Sequence, residues 1–230
     1  MDEMMPPPPA PEQPQLEAPS SLPWEHPGGL NGLLRTIGMF VTRPDEAFSV
    51  MAPTGLGRAF VYAVLMAWVE LIVGVAYWAA FQSPFFLMSV PKVRDELAEL
   101  AVGAGVMALI AAGLFILTPI FVAIGLLIHT AILHLMLLII GEGRRGFETT
   151  ARVICYSHTA DVANLVPFCG GLLAFVWFIA LQVIGISRAH DCSYGKAALA
   201  VFLPILLCCS CLVVGVAFWG TVLVGLLGEQ

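Results

Sequence analysis

The residues best equipped for chemistry in this 230-residue chain are a few ionisable groups set among apolar neighbours. Glu70 is the only charge between residues 59 and 81, and His129 and His134 fall in a run of forty uncharged positions, 101–140. His158, Asp161 and Asn164 stand just before a stretch that carries no charge until Arg188. Ionisable groups inside apolar segments are expensive and are functional candidates for that reason. Two chemistries suit these residue types: metal ligation and a proton relay.

The spacing argues against a metal. His129 and His134 are five apart, about 140° around a helix, so they cannot chelate from one face. No HExxH pattern occurs, and the CCSC of residues 208–211 reads as a thiol-rich face of small residues. No metal and no cofactor is expected. Asp161 and Asn164 have a structural reading as well. Their oxygens suit the start of a helix, with Pro167 in its first turn, so the cluster would mark a hinge between an interfacial helix and a membrane span. Glu70 would be protonated or paired with an interior polar group such as a histidine or Gln182.

The elements that must position these groups are membrane helices. Hydrophobic residues make up 59% of the chain and charged residues 11%, with a mean hydropathy of +0.91. Soluble domains carry about 25% charge, so this chain is too poor in charge to cover itself with water. Residues 1–28 hold nine of the sixteen prolines and five acids with no base, which predicts a disordered, Pro-rich acidic tail in place of a secretory leader. The rest of the chain then has eleven acids against ten bases, and no basic block points to nucleic acid. Five of the six cysteines lie in or beside apolar runs and read as buried small hydrophobes.

Residues 29–55 predict two short interfacial helices. The first presents Leu33, Leu34, Ile37, Phe40 and Val41, and the second opens at Pro44 with Asp45 and Glu46. Five spans are expected within 56–230, at about 59–81, 98–118, 120–140, 164–186 and 197–227. The run 101–140 would reach roughly 60 Å as one straight helix, about twice the hydrocarbon thickness. It therefore reads as two spans turning at Thr118-Pro119, or as a single bent, partly re-entrant element. Ala104, Ala108 and Ala112 read as a packing stripe. After the Gly-rich turn, Glu148 and Arg152 are spaced for an i,i+4 pair. In this five-span arrangement the basic residues divide five and five between the two sides, so charge does not orient the array. The fold class is all-α: a polytopic helical membrane protein with short interfacial helices.

Four stretches together resemble the Yip family, the Ypt/Rab-interacting multispanning membrane proteins, in the form met in bacteria. They are TRPDEAFSVM, LHLMLLIIGEGRRGFETTARVICYS, LVPFCGGLLAFVWFIALQVIGISRAH and GKAALAVFLP, which cover most of residues 40–205. The resemblance implies five spans, a cytoplasmic N-terminus and a bacterial cytoplasmic membrane. In eukaryotic members it implies small-GTPase binding and vesicle traffic. Two departures count against carrying GTPase binding over: no DLYGP motif precedes the first span, and Ala160 stands where a proline is expected.

No Walker loop, nucleophile elbow or dinucleotide fingerprint is present, and no enzyme is expected. The leading reading is non-enzymatic membrane organisation, as a trafficking-type adaptor or scaffold with the bilayer and a protein partner or second copy as its contacts. The alternative is a small transporter or channel using Glu70 and the intramembrane histidines.

Overall fold

The computed structural model describes residues 21–82 and 97–228; residues 1–20 of the expected tail and the acidic and basic residues of 92–96 lie outside them. Among the described residues the chain forms seven α-helices: α1 (Gly29–Thr42), α2 (Pro44–Ser49), α3 (Leu56–Tyr77), α4 (Leu97–Ile140), α5 (Phe147–Ser157), α6 (Gly170–His190) and α7 (Tyr194–Gly228). A 3-10 segment, His158–Leu165, continues α5. Local chemistry explains several boundaries. Pro44 opens α2 with Asp45 and Glu46 on its positive end. Asp191 closes α6 in a left-handed conformation, φ 57°, while the Cys192 N–H donates to the Ser187 carbonyl at 3.0 Å.

Four helical stretches are long and apolar enough to cross a membrane: Leu56–Phe81, Ala108–Ile140, Gly170–His190 and Tyr194–Val216. Their outward faces are apolar, as at Leu109, Ile116 and Val216, whose exposures are 75%, 73% and 73%. Lipid is the fitting solvent for that surface.

The expected turn at Thr118-Pro119 is absent, because α4 runs through Pro119 as one 44-residue helix. Proline has no N–H and would leave the carbonyl four residues back, at Phe115, without its helical donor. Trp68 of α3 supplies one: its indole N–H donates to the Phe115 oxygen at 3.0 Å, and its ring stacks on Phe115 with centroids 4.6 Å apart. A replacement donor from a neighbouring helix keeps an intramembrane proline helix continuous.

A fifth traverse of the bundle comes from α5 and its 3-10 continuation, which follow α3 along its length. Glu148 meets Gly55 and Leu56 at one end, Thr159 meets Tyr62 further along, and the Leu165 carbonyl accepts from the Tyr77 hydroxyl at 2.6 Å at the other end. Eleven α-helical residues and eight 3-10 residues rise about 32 Å, against about 33 Å for the 22 residues of α3. Helix α6 then runs back antiparallel, with His190 against Thr150, Gly185 against Val153, Phe178 against His158 and Gly170 against Asn164. The sequence expectation of an interfacial helix here is thus corrected. Every residue of α5 from Thr149 to Ser157 is buried.

One end of the bundle, the near face, gathers the start of α3, the end of α4, the 141–146 turn, the 191–193 turn, and α1 and α2. Arg188 donates to Asp45 at 2.7 Å, Lys196 pairs with Glu142, and Arg145 lies 3.8 Å from Asp191. Beneath it Phe40, Phe48, Tyr62 and Tyr156 form an aromatic core, with ring centroids 4.8–5.4 Å apart along the series. Helix α1 packs Gly32, Thr36 and Phe40 inward while Leu30, Leu34 and Val41 face out, so the predicted apolar face is shared between bundle and surroundings.

Three further expectations change. Residues 21–28 are ordered by packing: Leu22 is fully buried, and the Trp24 indole donates to the Arg58 carbonyl at 2.8 Å. Of the cysteines only Cys155 is buried; Cys169, Cys208, Cys209 and Cys211 face outward and Cys192 is intermediate. The stripe at Ala108 and Ala112 is exposed among the described residues.

Candidate functional site

The structure brings three of the six sequence candidates into one cleft. Glu70 from α3, His129 from α4 and His158 from the 3-10 segment line a cavity of about 620 Å³, together with Thr118, Phe121 and Phe178 and apolar residues of α3 and α4. Phe178 stands between the imidazoles, with ring centroids 5.9 Å from His129 and 5.1 Å from His158. Asp161 lies behind His158 and holds its Nδ1 at 2.8 Å, so Nε2 is the imidazole nitrogen left for the cleft. The buried Gln182 of α6 lies on the His129 side of the cleft. Glu70 feels the charges of Asp161 and His158 but makes no hydrogen bond to protein among the described residues.

Asp161 does not cap a helix. The span it was expected to start begins at Gly170, nine residues on, with Cys169 at its N-cap and no side-chain cap bond. The reason is backbone geometry: the 3-10 helix runs on to Leu165, and a turn through Pro167 intervenes. Asn164 works at that turn by close approach. A Cβ on Gly170 would lie 2.7 Å from the Ala163 oxygen and 2.9 Å from the Asn164 Cα, so only glycine lets α6 start there.

His134 belongs to a separate cluster nearer the near face. The Thr150 hydroxyl lies 3.0 Å from His134 Nδ1 and 3.0 Å from His190 Nε2. A hydroxyl donates once, and the Gly146 carbonyl also lies within its reach at 3.4 Å, so at least one of the two imidazoles donates to Thr150. His190 Nδ1 is buried and makes no hydrogen bond among the described residues. His190 was not among the sequence candidates, because it ends a charged turn and reads there as a solvated C-terminal base.

A third constellation was also missed. Arg152, 1% exposed, pairs with Glu25 and donates to the Gly55 carbonyl, while the Tyr156 hydroxyl donates to Glu25 at 2.9 Å. Glu148 instead accepts from the amides of Gly55 and Leu56 at 2.6 and 3.0 Å, capping α3. The expected Glu148–Arg152 pair is therefore not made, since each side chain has a better-placed tertiary partner. Outside the membrane segments, the hydroxyl of Tyr194 and the guanidinium of Arg188 hold the Asp45 carboxyl below its ordinary range.

Among the described residues no three His, Cys, Asp or Glu side chains converge to hold a metal ion. The cleft instead offers an unpaired carboxyl, two imidazoles and an aromatic face within apolar walls, an arrangement able to bind a polar or charged group at membrane depth or to pass a proton. No curated protein and no solved structure matches the chain. A family model, the Yip1 domain, matches residues 37–226, which include every helix described above from the end of α1 to most of α7. With that match over most of its length, this multi-pass helical membrane protein belongs to the Yip1 domain family.

Proposed function

We propose that the chain is a non-enzymatic membrane organiser, acting as a trafficking-type adaptor or scaffold whose near face meets a protein partner or a second copy in a bacterial cytoplasmic membrane. The observation that carries this reading is the composite near face. Segments distant in sequence are tied together there by Asp45–Arg188, Glu142–Lys196 and Arg145–Asp191, which suits a fixed recognition surface. The exposed ridge of Leu30, Leu34 and Val41 on α1 adds an apolar strip beside it. Small-GTPase binding is not part of the proposal. Photo-crosslinkers placed at Leu34 and Gly38 in native membranes test it. A discrete adduct, to a partner or to a second copy, is expected; only lipid adducts from both positions would remove the adaptor reading.

A second reading, transport, is favoured by one specific observation: Glu70, His129 and His158 share a cleft. Proteoliposome flux checks it, with selective transport abolished by Glu70→Gln as the expected result and leak equal to empty vesicles as the contrary one.

A further inference from the structure

We infer that the cleft bounded by Glu70, His129, His158 and Phe178 is a binding site for a lipophilic cation, whose positive charge replaces the proton of Glu70. The proposal rests on the cleft being open to ligand, which the transport reading shares, and adds the substrate class.

Charge, depth and wall chemistry agree on the ligand. Glu70 is about 21 Å along α3 from its start, within the thickness of the hydrocarbon core. A carboxylate at such depth with no protein donor is expensive, so it is neutralised by a proton or by a cation. The titratable groups facing it are His129 from α4, His158 and Asp161 from the 3-10 segment, and none from α6, which contributes Phe178 and Gln182. Once Glu70 has given up its proton the cluster carries two negative charges with neutral imidazoles, and one with His158 protonated. An anion finds no net attraction there. A compact hydrated cation would lose its water against walls that are mostly aliphatic and aromatic, whereas a cation spread over apolar groups loses little on leaving water. Phe178 lines the cleft, and an aromatic ring attracts such a charge. A volume of about 620 Å³ is that of a site for a drug-sized molecule.

Binding displaces one proton from Glu70 to the solvent, and no other atom is exchanged. Affinity therefore strengthens as pH rises, by up to about tenfold per unit while the free site holds its proton, and levels off once it does not.

The test is equilibrium binding of tetraphenylphosphonium to the full chain in phosphatidylcholine nanodiscs between pH 5 and 9. Saturable one-to-one binding that strengthens with pH is expected, with at least a tenfold loss in Glu70→Gln and a pH dependence retained in Glu70→Asp. Should Glu70→Gln fail to fold, the wild-type pH profile and Glu70→Asp still decide. Three results overturn the inference: uptake no greater than that of empty nanodiscs, affinity independent of pH, or equal binding of the uncharged triphenylphosphine oxide. Saturable binding without vesicle flux would remove the transport reading and leave the binding site standing.

Discussion

Arg152 shows how much one side chain depends on a partner far away in sequence. Its charge is buried, its Nε has no partner, and its carboxylate comes from Glu25, 127 residues earlier. Removing one member of a buried pair strands the other charge, so Glu25→Ala is expected to lower stability by about 3 kcal/mol. The double change Glu25→Leu with Arg152→Met is expected to recover most of that loss. Thermal unfolding in detergent measures both, and a silent Glu25→Ala would mean the N-terminal segment contributes nothing to the fold. Asp45 gives a pH-dependent counterpart. Its folded pKa lies below the ordinary 3.8, first through the Tyr194 hydroxyl and then through Arg188. A depressed carboxyl contributes stability above its unfolded pKa and loses it as pH falls through the folded value. Stability should therefore drop below about pH 4 more steeply in the native chain than in Asp45→Asn. Parallel acid-denaturation curves would refute this.

Helix α4 is continuous through Pro119 because α3 lends it a donor, and this sets the prediction at the level of elements. Trp68→Phe keeps the ring stacked on Phe115 but removes the indole N–H. The stranded carbonyl is expected to lower stability by about 1–3 kcal/mol and to speed amide exchange in the turns on either side of Pro119. Unchanged exchange there would mean that the Phe115 carbonyl is satisfied in some other way. The opposite device works between α6 and its neighbours. A Cβ on Gly185 would stand 2.6 Å from Val153 and 2.8 Å from Phe48, so the absence of a side chain lets α6 touch α5 and α2 together.

Five traverses of the bundle, with one of them polar, change the charge count that left the orientation undecided on the sequence. The five-span reading put Arg144, Arg145 and Arg152 across the membrane from the N-terminal helices. The observed path brings them to the near face with Arg35, Arg43, Arg58, Arg188 and Lys196. Lys92 and Arg94 fall in the sequence between α3 and α4, outside the described residues. With eight bases against two, the positive-inside rule predicts that the near face is cytoplasmic. Reporter fusions after residues 28, 146 and 192 should therefore report the cytoplasm, and a fusion after residue 230 the other side. A reporter after residue 146 on the non-cytoplasmic side would restore the turn at Pro119 and remove the α5 traverse.

Much of this protein was legible from sequence because hydropathy and helix signals are local sums. The membrane class, the helical fold, the start of α2 and the cores of α3, α6 and α7 follow from composition and from residues a few positions apart. The candidate residues were legible as types, and Glu70, His129 and His158 line one cleft. Their grouping was not, since His134 joins Thr150 and His190, and Asp161 serves His158. Nor could hydropathy identify α5 and its 3-10 continuation as a traverse, because their polar side chains are matched by partners on other helices and need no apolar sequence. Those matches join residues 16 to 131 positions apart, Tyr62 with Thr159 and Glu25 with Arg152 among them. Within the membrane such pairing decides whether a polar group is tolerated, and only the tertiary structure brings the pairs together.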